Sequence, residues 1–364
     1  MPVGPNASRA LPCRGGTSLK SVGILGLPRS GKTTLFEILM QGAGSAAAAA
    51  GAREAIGMVR VPDERVDRLS AHYQPKKTTH AVIQFVESAA AAKSGASAKK
   101  VDAFASLRNC DALMIVLRAF QEPGGPAPDP EKDRGGLGAD LVLNDLGIVE
   151  NRIEKLEKEL RVGRKENERE HRLLKRCHER LESGEPMRAL AFDAEEEKLL
   201  RGFQLLSRKP LLLVYNQDEQ ARGAPRDPGP GAMAVALRAH IEREILNLPP
   251  DERAAFRAEM GVEEDGLSLL IRSCYRLLGL ISFFTVGPDE VRAWTLRDGQ
   301  TAVDAAGEIH SDLARGFIRA ETILWEKLLE AGSEAKAREK GWLRLEGKEY
   351  KVRDGECLEI RFNR

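Results

Sequence analysis

The chain has 364 residues, which is long for one compact core, so we expect two or three domains. Its 56 Lys and Arg balance 55 Asp and Glu, so bulk charge predicts neither nucleic-acid nor membrane binding, and such a partner would need a local patch. Five scattered cysteines without a C-x-x-C pair argue against a disulfide framework or a zinc site. The sequence has neither a long apolar run nor a signal peptide, so it predicts a soluble, cytoplasmic protein.

The first structured segment is predicted to follow a disordered tail at residues 1–20, which is rich in Gly, Pro, Ser and Arg. Residues 22–25 form a short apolar run that predicts a buried strand, and residues 34–40 predict a helix. Between them, Gly26 to Thr33 match G-x-x-x-x-G-K-[ST], the phosphate-binding loop of nucleoside triphosphatases. The alternative is a glycine-rich turn that matches by accident, but a strand and a helix on the correct sides favour the loop.

This loop predicts a phosphate site because its glycines allow successive backbone N–H groups to point inward at a helix N-terminus. Lys32, a candidate catalytic residue, would contact the β- and γ-phosphates, and the Thr33 hydroxyl would ligate Mg²⁺. The candidate nucleotide-binding residues in the loop are Pro28, Arg29, Ser30, Gly31, Lys32, Thr33 and Thr34.

The segment after the first helix is where such proteins carry their first switch, in which a Thr completes the Mg²⁺ shell. No Thr occurs between Gln41 and Val61. Short strand and helix patterns follow, and a predicted strand at residues 81–86 then ends at Glu87, a candidate metal-side and catalytic residue. The alanines at residues 89–92 come next and favour helix.

A buried strand at residues 113–117 precedes a Pro- and Gly-rich connector, Pro123 to Gly138, that we take as a boundary. From residue 141 to 208 the chain is highly charged, with apolar residues at spacings of 3 and 4 that predict a two-helix antiparallel hairpin. The predicted tip is basic, through Arg161, Arg164, Lys165, Arg169 and Arg172. These are either a solvated helix end or a contact for RNA phosphates.

A further buried strand at residues 211–215 leads directly into Asn216, Gln217 and Glu219, at the place where GTP-binding proteins carry Asn-Lys-x-Asp. Glu219 is one methylene longer than the Asp that binds guanine, which weakens a GTP preference. Helices are predicted at residues 239–246, 250–260 and 267–278. Short strands and turns follow from residue 281, among them a strand at residues 350–352, and helices interrupt them at 303–310 and 322–329.

Taken together, these motifs resemble the YchF-type Obg-like ATPases. The likeness rests on the loop from Gly26 to Phe36, the hairpin insertion and Asn216-x-x-Glu219. Its most specific part is a set of C-terminal motifs. Those motifs are Phe284-Thr285, Glu290 to Thr295, Gly316 to Glu321, Arg344 to Lys348 and Asp354-Gly355. The resemblance covers nearly everything from Ser21 onward. It implies a P-loop domain, a coiled-coil arm, a C-terminal TGS-like (β-grasp) domain, a preference for ATP over GTP, and association with ribosomes.

The sequence departs from the family pattern in its switches. The second-switch pattern Asp-x-x-Gly corresponds to Glu87-x-x-Ala90, the Gly-rich stretch after it is shortened, and the first-switch Thr has no counterpart. Two functions therefore stay open. One is an ATP-binding, ribosome-associated protein with weak or absent hydrolysis, and the other is an active slow ATPase or GTPase that regulates ribosome docking. Sequence-specific DNA binding and membrane association are not expected.

The predicted architecture is α/β: a mostly parallel P-loop NTPase sheet with a helical-hairpin insertion and a C-terminal β-grasp-like α+β domain. The predicted segments are a tail (1–20), the NTPase domain in two parts (21–140 and 209–280), the coiled-coil hairpin (141–208) and the C-terminal domain (281–364).

Overall fold

The computed structural model describes residues 19–42, 54–88, 104–162, 167–219, 225–262 and 265–363. The chain divides into two compact units. The larger unit comprises Leu19–Pro62 and Val82–Leu278, and the smaller unit comprises Asp63–Ala81 and the residues from Gly279 onward.

The strands alternate with helices along most of the chain. The strands are β1 (Ser21–Leu25), β2 (Glu54–Arg60), β3 (Lys77–Thr79), β4 (Val82–Ser88), β5 (Ala112–Ala119), β6 (Leu211–Gln217), β7 (Ala232–Leu237), β8 (Leu280–Val286), β9 (Glu290–Arg297), β10 (Phe317–Leu324), β11 (Arg344–Glu346) and β12 (Glu356–Phe362). The helices are α1 (Lys32–Gly42), α2 (Glu64–Tyr73), α3 (Ala105–Arg108), α4 (Pro130–Arg161), α5 (Glu168–Glu182), α6 (Ala194–Leu200), α7 (Ala239–Asn247), α8 (Arg253–Glu259), α9 (Gly266–Leu277), α10 (Ala302–Ile309), α11 (Ser311–Arg315), α12 (Trp325–Ala331) and α13 (Glu334–Glu339). No helix in these described ranges is both long enough and apolar enough to span a membrane.

The larger unit is built on a six-stranded sheet with the order β2-β4-β1-β5-β6-β7. Its pairs are parallel except β2 with β4, which run antiparallel at one edge. The central strands β1, β5 and β6 are continuous apolar runs with almost every residue buried, as expected for strands covered on both faces. The predicted α/β fold with a mostly parallel sheet is confirmed. This order also puts the carboxyl ends of β1, β4, β5 and β6 along one edge.

Helices α4 and α5 form the predicted hairpin. Val149, Ile153 and Leu156 of α4 are buried in one apolar cluster with residues of α5, among them Leu174 and Cys177. This burial follows the 3- and 4-residue spacing of the apolar positions.

The hairpin differs from the prediction at its start. The predicted connector, Pro123 to Gly138, is instead helical from Pro130, because Asp129 caps the helix by accepting from the Lys132 N–H and proline fits the first turn. Leu137 and Leu141 then pack against the core of the larger sheet, which holds the glycine-containing turns in place. The predicted turn near Gly163 lies outside the described residues.

The smaller unit has its own six-stranded sheet, with the order β11-β10-β12-β8-β9-β3. It recruits Asp63–Ala81, a segment that we assigned to the NTPase domain from the sequence. The physical reasons are local. Strand β3 pairs with β9, Thr79 donates a 2.5 Å hydrogen bond to Glu290, and the Arg65 guanidinium bridges Asp63 and Asp354.

Two other elements of this unit differ from their predictions. Strand β10 continues to Leu324 because it pairs with β12 along its whole length, so the helix predicted from residue 322 begins at Trp325. The strand predicted at residues 350–352 is reduced to one bridge between Thr301 and Lys351.

Candidate nucleotide-binding site

The loop after β1 has the geometry of an anion-binding nest. Arg29 has a φ of 64° and Gly31 a φ of 89°, and the Ser30 N–H donates to the Leu27 carbonyl at 3.2 Å to close the turn. Helix α1 begins at Lys32, and its first internal hydrogen bond runs from the Leu35 N–H to the Gly31 carbonyl at 2.9 Å. The N–H groups of Gly31, Lys32, Thr33 and Thr34 therefore precede the intrahelical ladder. These are groups that can cradle phosphate oxygens.

The charged side chains of this loop differ in what they contact. The ammonium of Lys32 has no hydrogen-bond or ion-pair partner among the described residues, so it is available to a phosphate. Arg29 is exposed and lies 3.1 Å from the Glu122 carboxylate. Pro28 is also exposed, whereas Ser30 is buried and its hydroxyl lacks a partner in the described part of the chain.

Gly31 is required by its surroundings as well as by its backbone angle. A Cβ at Gly31 would lie 2.2 Å from the side-chain nitrogen of Asn216, and the positive φ disfavours any other residue. Gly26 is equally constrained, since a Cβ there would lie 2.7 Å from the Val116 carbonyl oxygen. Both motif glycines thus allow a close approach of the loop, to the middle of β5 at Gly26 and to the end of β6 at Gly31.

Thr33 and Glu87 are brought together by the sheet. Glu87 pairs in register with Ile24 near the end of β1, and its carboxylate accepts a 2.6 Å hydrogen bond from the Thr33 hydroxyl. The glutamate is therefore long enough to reach the loop from the end of β4. A hydroxyl and a carboxylate are oxygen ligands of the kind that Mg²⁺ prefers, so this donor pair fits a magnesium site. No cluster of three or more His, Cys, Asp and Glu that could hold a metal occurs in the described ranges.

Asn216 has a structural role that the sequence did not predict. Its side chain is buried, its amide nitrogen donates to the Ser30 carbonyl at 3.1 Å, and its amide oxygen accepts from the Ala239 N–H at 3.1 Å. It therefore joins the phosphate loop to the N-terminus of α7, in addition to any contact with a base.

The other residues predicted to contact the base lie near one another at the end of β6. Gln217 is the last residue of that strand, and Glu219 is exposed with its carboxylate 3.3 Å from the His240 ring nitrogen Nδ1. Arg238 donates to the Glu219 carbonyl at 3.0 Å and to the Met260 carbonyl at 3.2 Å. The sequence motif alone did not indicate Arg238 or His240, because their only signal is a position just after the next strand.

Asp218, the variable position of the motif, also has a defined role. Its carboxylate accepts from the Gln121 N–H at 3.0 Å, which fixes the segment after β5 beside the segment after β6. Phe120 in that segment lies near Gly31, since its ring would be 4.0 Å from a Cβ there. The sequence spacing could not assign a role to Asp218 or Phe120, because each contacts a segment that follows a different strand from its own.

Several predictions fall outside the described residues. These are the second-switch residue Ala90 and the alanines around it, most of the first-switch segment, and Arg164 and Lys165 of the basic tip. Within the described part of the tip, Arg161 and Arg172 are exposed, whereas Arg169 contacts the Asp193 carboxylate at 3.1 Å. Val162 beside Arg161 is 77% exposed, which is unusual for an apolar side chain.

Comparison with known proteins agrees with this arrangement. A protein from Bacillus subtilis (strain 168) named ribosome-binding ATPase YchF is 37% identical over 370 residues, covering 94% of this chain and 99% of that protein. The chain belongs to the YchF family. A YchF protein from Escherichia coli O157:H7, with the same name, is 34% identical and covers 94% of this chain and 98% of its own length.

Two further comparisons support membership of the YchF family. Residues 280–363 match YchF-GTPase_C, which is described as a protein of unknown function (DUF933). The solved structure of the Schizosaccharomyces pombe YchF GTPase matches with a TM-score of 0.78 at 27% identity, over 96% of this chain and 99% of that one. The resemblance drawn from the sequence motifs is confirmed. The YchF relatives are named both ATPase and GTPase, so the base preference of this chain has to be argued from its own residues.

Proposed function

We propose that this chain binds ATP with Mg²⁺ at the loop from Gly26 to Thr33, associates with ribosomes, and hydrolyses ATP slowly or not at all. The single observation that carries the nucleotide site is the loop geometry. Lys32 stands at the start of α1 without a protein partner among the described residues, beside the N–H groups of Gly31 to Thr34. Such an arrangement binds a polyphosphate through backbone dipoles and one cation.

Each residue of the site then has a defined task. The backbone N–H groups and Lys32 would hold the β- and γ-phosphates, and Thr33 and Glu87 would hold Mg²⁺, which neutralises charge on the phosphate oxygens when it is bound. Asn216 keeps the Ser30 carbonyl turned toward the protein interior, so the loop holds its shape before nucleotide arrives. Arg29 is paired with Glu122 and therefore contributes less positive charge to the phosphates.

The preference for ATP over GTP is supported by Glu219. A guanine-binding Asp needs its carboxylate at the N1–H and N2–H₂ edge of the base. Glu219 is longer, and its carboxylate lies 3.3 Å from the His240 ring. A carboxylate engaged in this way is poorly placed to accept from guanine.

Ribosome association is supported by the names of the relatives and by the hairpin. Arg161 and Arg172 expose positive charge near the junction of α4 and α5, and Val162 exposes apolar surface at the same end. Positive charge beside an apolar side chain suits a surface of RNA phosphates and protein.

Fluorescence titration with mant-ATP tests the nucleotide site. We expect saturable binding that strengthens in Mg²⁺ and is lost in Lys32→Ala, while the Lys340→Ala variant, which removes an exposed lysine from the smaller unit, binds as the parent chain does. Equal binding to the Lys32→Ala variant would contradict the proposal.

The second candidate is an active slow ATPase or GTPase whose turnover regulates ribosome docking. The observation that favours it is the 2.6 Å contact between Thr33 and Glu87, since it keeps both oxygen ligands beside the phosphate loop. Phosphate release measured in a single turnover separates the two candidates.

A further inference from the structure

A cavity lies in the larger unit apart from the phosphate loop, and we propose that it binds a small organic anion with a phosphate or carboxylate head and an apolar body. The cavity has a volume of about 530 Å³, within the range of small-molecule sites. It is formed by one face of α4, by residues 184–189 after α5, and by residues 228 and 230 before β7. We call it the α4 cavity. None of the residues of the phosphate loop lines it.

The walls of the α4 cavity are suited to an apolar body. Leu141 and Val142 of α4, Leu211 of β6, and Pro186 and Pro230 present apolar side chains to it. Two further lining residues, Gly135 and Gly138, leave open space, since a Cβ at either would meet no heavy atom within 4 Å. Glycine is unfavourable inside a helix, so two of them on the cavity face keep a volume open that ordinary helix formers would fill.

Arginine side chains supply the positive charge. Arg134 donates to the Pro228 carbonyl at 3.0 Å and lies 3.5 Å from Glu131, and Arg180 lies 3.0 Å from Glu185. These two guanidinium groups are therefore largely neutralised by neighbouring carboxylates. The Nε of Arg180 is nevertheless buried without a hydrogen-bond partner in the described part of the chain.

Arg188 differs from Arg134 and Arg180 because it forms no ion pair with a described residue. Its Nε donates to the Lys209 carbonyl at 3.2 Å, and no carboxylate of the described residues lies within ion-pairing distance of it. The buried Asp145 acts on the charge of Arg188 from beyond ion-pairing distance, and its two oxygens accept from the N–H groups of Leu206 and Ser207 at 2.9 and 2.7 Å. The terminal nitrogens of Arg188 are thus left for a ligand.

Burial makes this arrangement costly for the protein alone. Desolvation lowers the pKa of Arg188 to about 10, with the nearby Arg134 acting in the same direction and Asp145 opposing it. The guanidinium still carries its charge at neutral pH, and an anion that accepts hydrogen bonds from it would offset the cost of desolvation. Phosphate and carboxylate groups match the fork of a guanidinium, which is why an anionic head is the fitting ligand.

Binding of aryl anions tests this site directly. The probes are phenyl phosphate, benzoate and uncharged phenol. Their binding to the full chain is measured by saturation-transfer NMR, with saturating ADP present to occupy the phosphate loop. We expect phenyl phosphate or benzoate to bind at least tenfold more tightly than phenol, and the stronger of the two identifies the head group. Equal binding of phenol, or no binding of either anion, would overturn the proposal.

Two pairs of variants locate the site. Arg188→Gln should weaken anion binding at least tenfold, whereas Arg201→Gln, at an exposed arginine outside the cavity lining, should leave it unchanged. Gly138→Leu fills the cavity without replacing an arginine and should abolish binding. Its matched control is Gly136→Leu on the same helix, where a Cβ also meets no heavy atom within 4 Å but which does not line the cavity.

The glycine pair keeps the test decisive if Arg188→Gln fails to fold. Gly138→Leu and Gly136→Leu carry the same helix-favouring change, so their circular dichroism and melting temperatures should match. Loss of anion binding in Gly138→Leu alone supports the α4 cavity. Unchanged binding in Gly138→Leu, or equal loss in both variants, places the anion elsewhere and overturns the proposal.

Discussion

The side-chain amide of Asn216 joins Ser30 to Ala239. The amide nitrogen donates to the Ser30 carbonyl and the amide oxygen accepts from the Ala239 N–H, each at 3.1 Å. Asn216 is only 6% exposed. The three residues are far apart in the chain, so one side chain fixes the phosphate loop, the end of β6 and the start of α7 together. The shape of the loop therefore depends on tertiary structure as well as on its own glycines.

Replacing Asn216 by Ala should destabilise the protein and weaken nucleotide binding together. The change leaves the Ser30 carbonyl and the Ala239 N–H without their partner, and a buried polar group left unsatisfied costs about 1–3 kcal/mol. Urea unfolding measures the stability, and mant-ATP titration measures the affinity. The control is Asn247→Ala, an exposed residue whose oxygen accepts from Gln41 at 3.3 Å, where we expect a change below about 0.5 kcal/mol. Equal stability of the two variants would show that Asn216 has no such role.

The position of the phosphate loop between a strand and a helix could be predicted from the sequence because the loop is local. Gly31, Lys32 and Thr33 follow one another at a strand–helix junction, so their arrangement depends on the motif and on two short patterns beside it. Glu87 was singled out because it ends a predicted strand, at the place where P-loop proteins carry an acidic residue on the metal side. The 2.6 Å contact of Glu87 with Thr33 depends on packing, and spacing could not give it.

The features that were missed depend on distant parts of the chain. Strand β3 has three residues and exists through its pairing with β9, more than 200 positions away. Arg238 lies beside Glu219 because its guanidinium donates to the carbonyls of Glu219 and Met260, which belong to different segments. Short strands and single side-chain bridges carry no periodic signal, so a sequence pattern cannot reveal them.

Glu219→Asp should shift the base preference toward GTP. We expect the parent chain to bind ATP more tightly than GTP, because loss of a charged contact to the guanine edge costs about 1–3 kcal/mol. Asp in this position restores the shorter reach, so the ATP-to-GTP affinity ratio should fall several-fold. Competition of the two unlabelled nucleotides against mant-ATP gives the ratio. Glu244→Asp on the neighbouring helix turn is the control, and a tenfold preference of the parent chain for GTP would contradict the prediction.

The carboxyl group of Glu242 should make stability depend on pH. It is 3% exposed, one oxygen accepts from the Gly266 N–H at 2.9 Å, and the other has no partner among the described residues. Burial, followed by the charge of Asp265, raises the pKa of Glu242 above its ordinary value. The folded state therefore binds the proton more tightly than the unfolded state does. Its stabilising contribution is complete below the unfolded-state pKa and is lost as pH rises through the folded-state pKa.

Glu242→Gln should therefore stabilise the protein at pH 7 and have little effect at pH 4. The neutral amide removes the buried charge, for an expected gain of about 1–3 kcal/mol at pH 7. Urea unfolding at both pH values measures the difference, with the partly exposed Glu244→Gln as control. A gain of the same size at pH 4 would mean that ionisation of Glu242 is not the cause.

Charge reversal at the hairpin end should weaken ribosome binding if this end contacts RNA. The variant is Arg161→Glu with Arg172→Glu; Arg169 is left intact because it contacts Asp193 at 3.1 Å. Each lost phosphate contact also makes ribosome binding less dependent on salt concentration, since fewer counterions are released when the complex forms. Co-sedimentation with ribosomes at low and high salt measures both effects. The control reverses the exposed Arg201 and Arg243, which changes net charge equally. Sedimentation like the parent chain would favour a solvated helix end.

Hydrolysis should be slow or undetectable even though nucleotide binds. Phosphoryl transfer depends on positioning and on charge stabilisation, so Mg²⁺ must be held and the switch segments must close around the γ-phosphate. Thr33 and Glu87 are in place to hold the metal, with 2.6 Å between the hydroxyl and the carboxylate. The switches are the defect, because the sequence has Ala90 where a glycine gives its N–H to the γ-phosphate, and it lacks the first-switch Thr.

The same defect predicts that ATP and ADP bind with similar affinity, because a ligand shifts a switch only through contacts that differ between the two states.

Glu87→Gln should weaken the Mg²⁺ dependence of mant-ATP binding while leaving binding without Mg²⁺ nearly unchanged. Phosphate release in a single turnover, with Lys32→Ala as the blank, measures hydrolysis. Release well above that blank together with a large preference for ATP over ADP would mean that the switches operate despite their sequence. Such a result would make the chain an active ATPase whose γ-phosphate contacts come from residues other than the usual threonine and glycine.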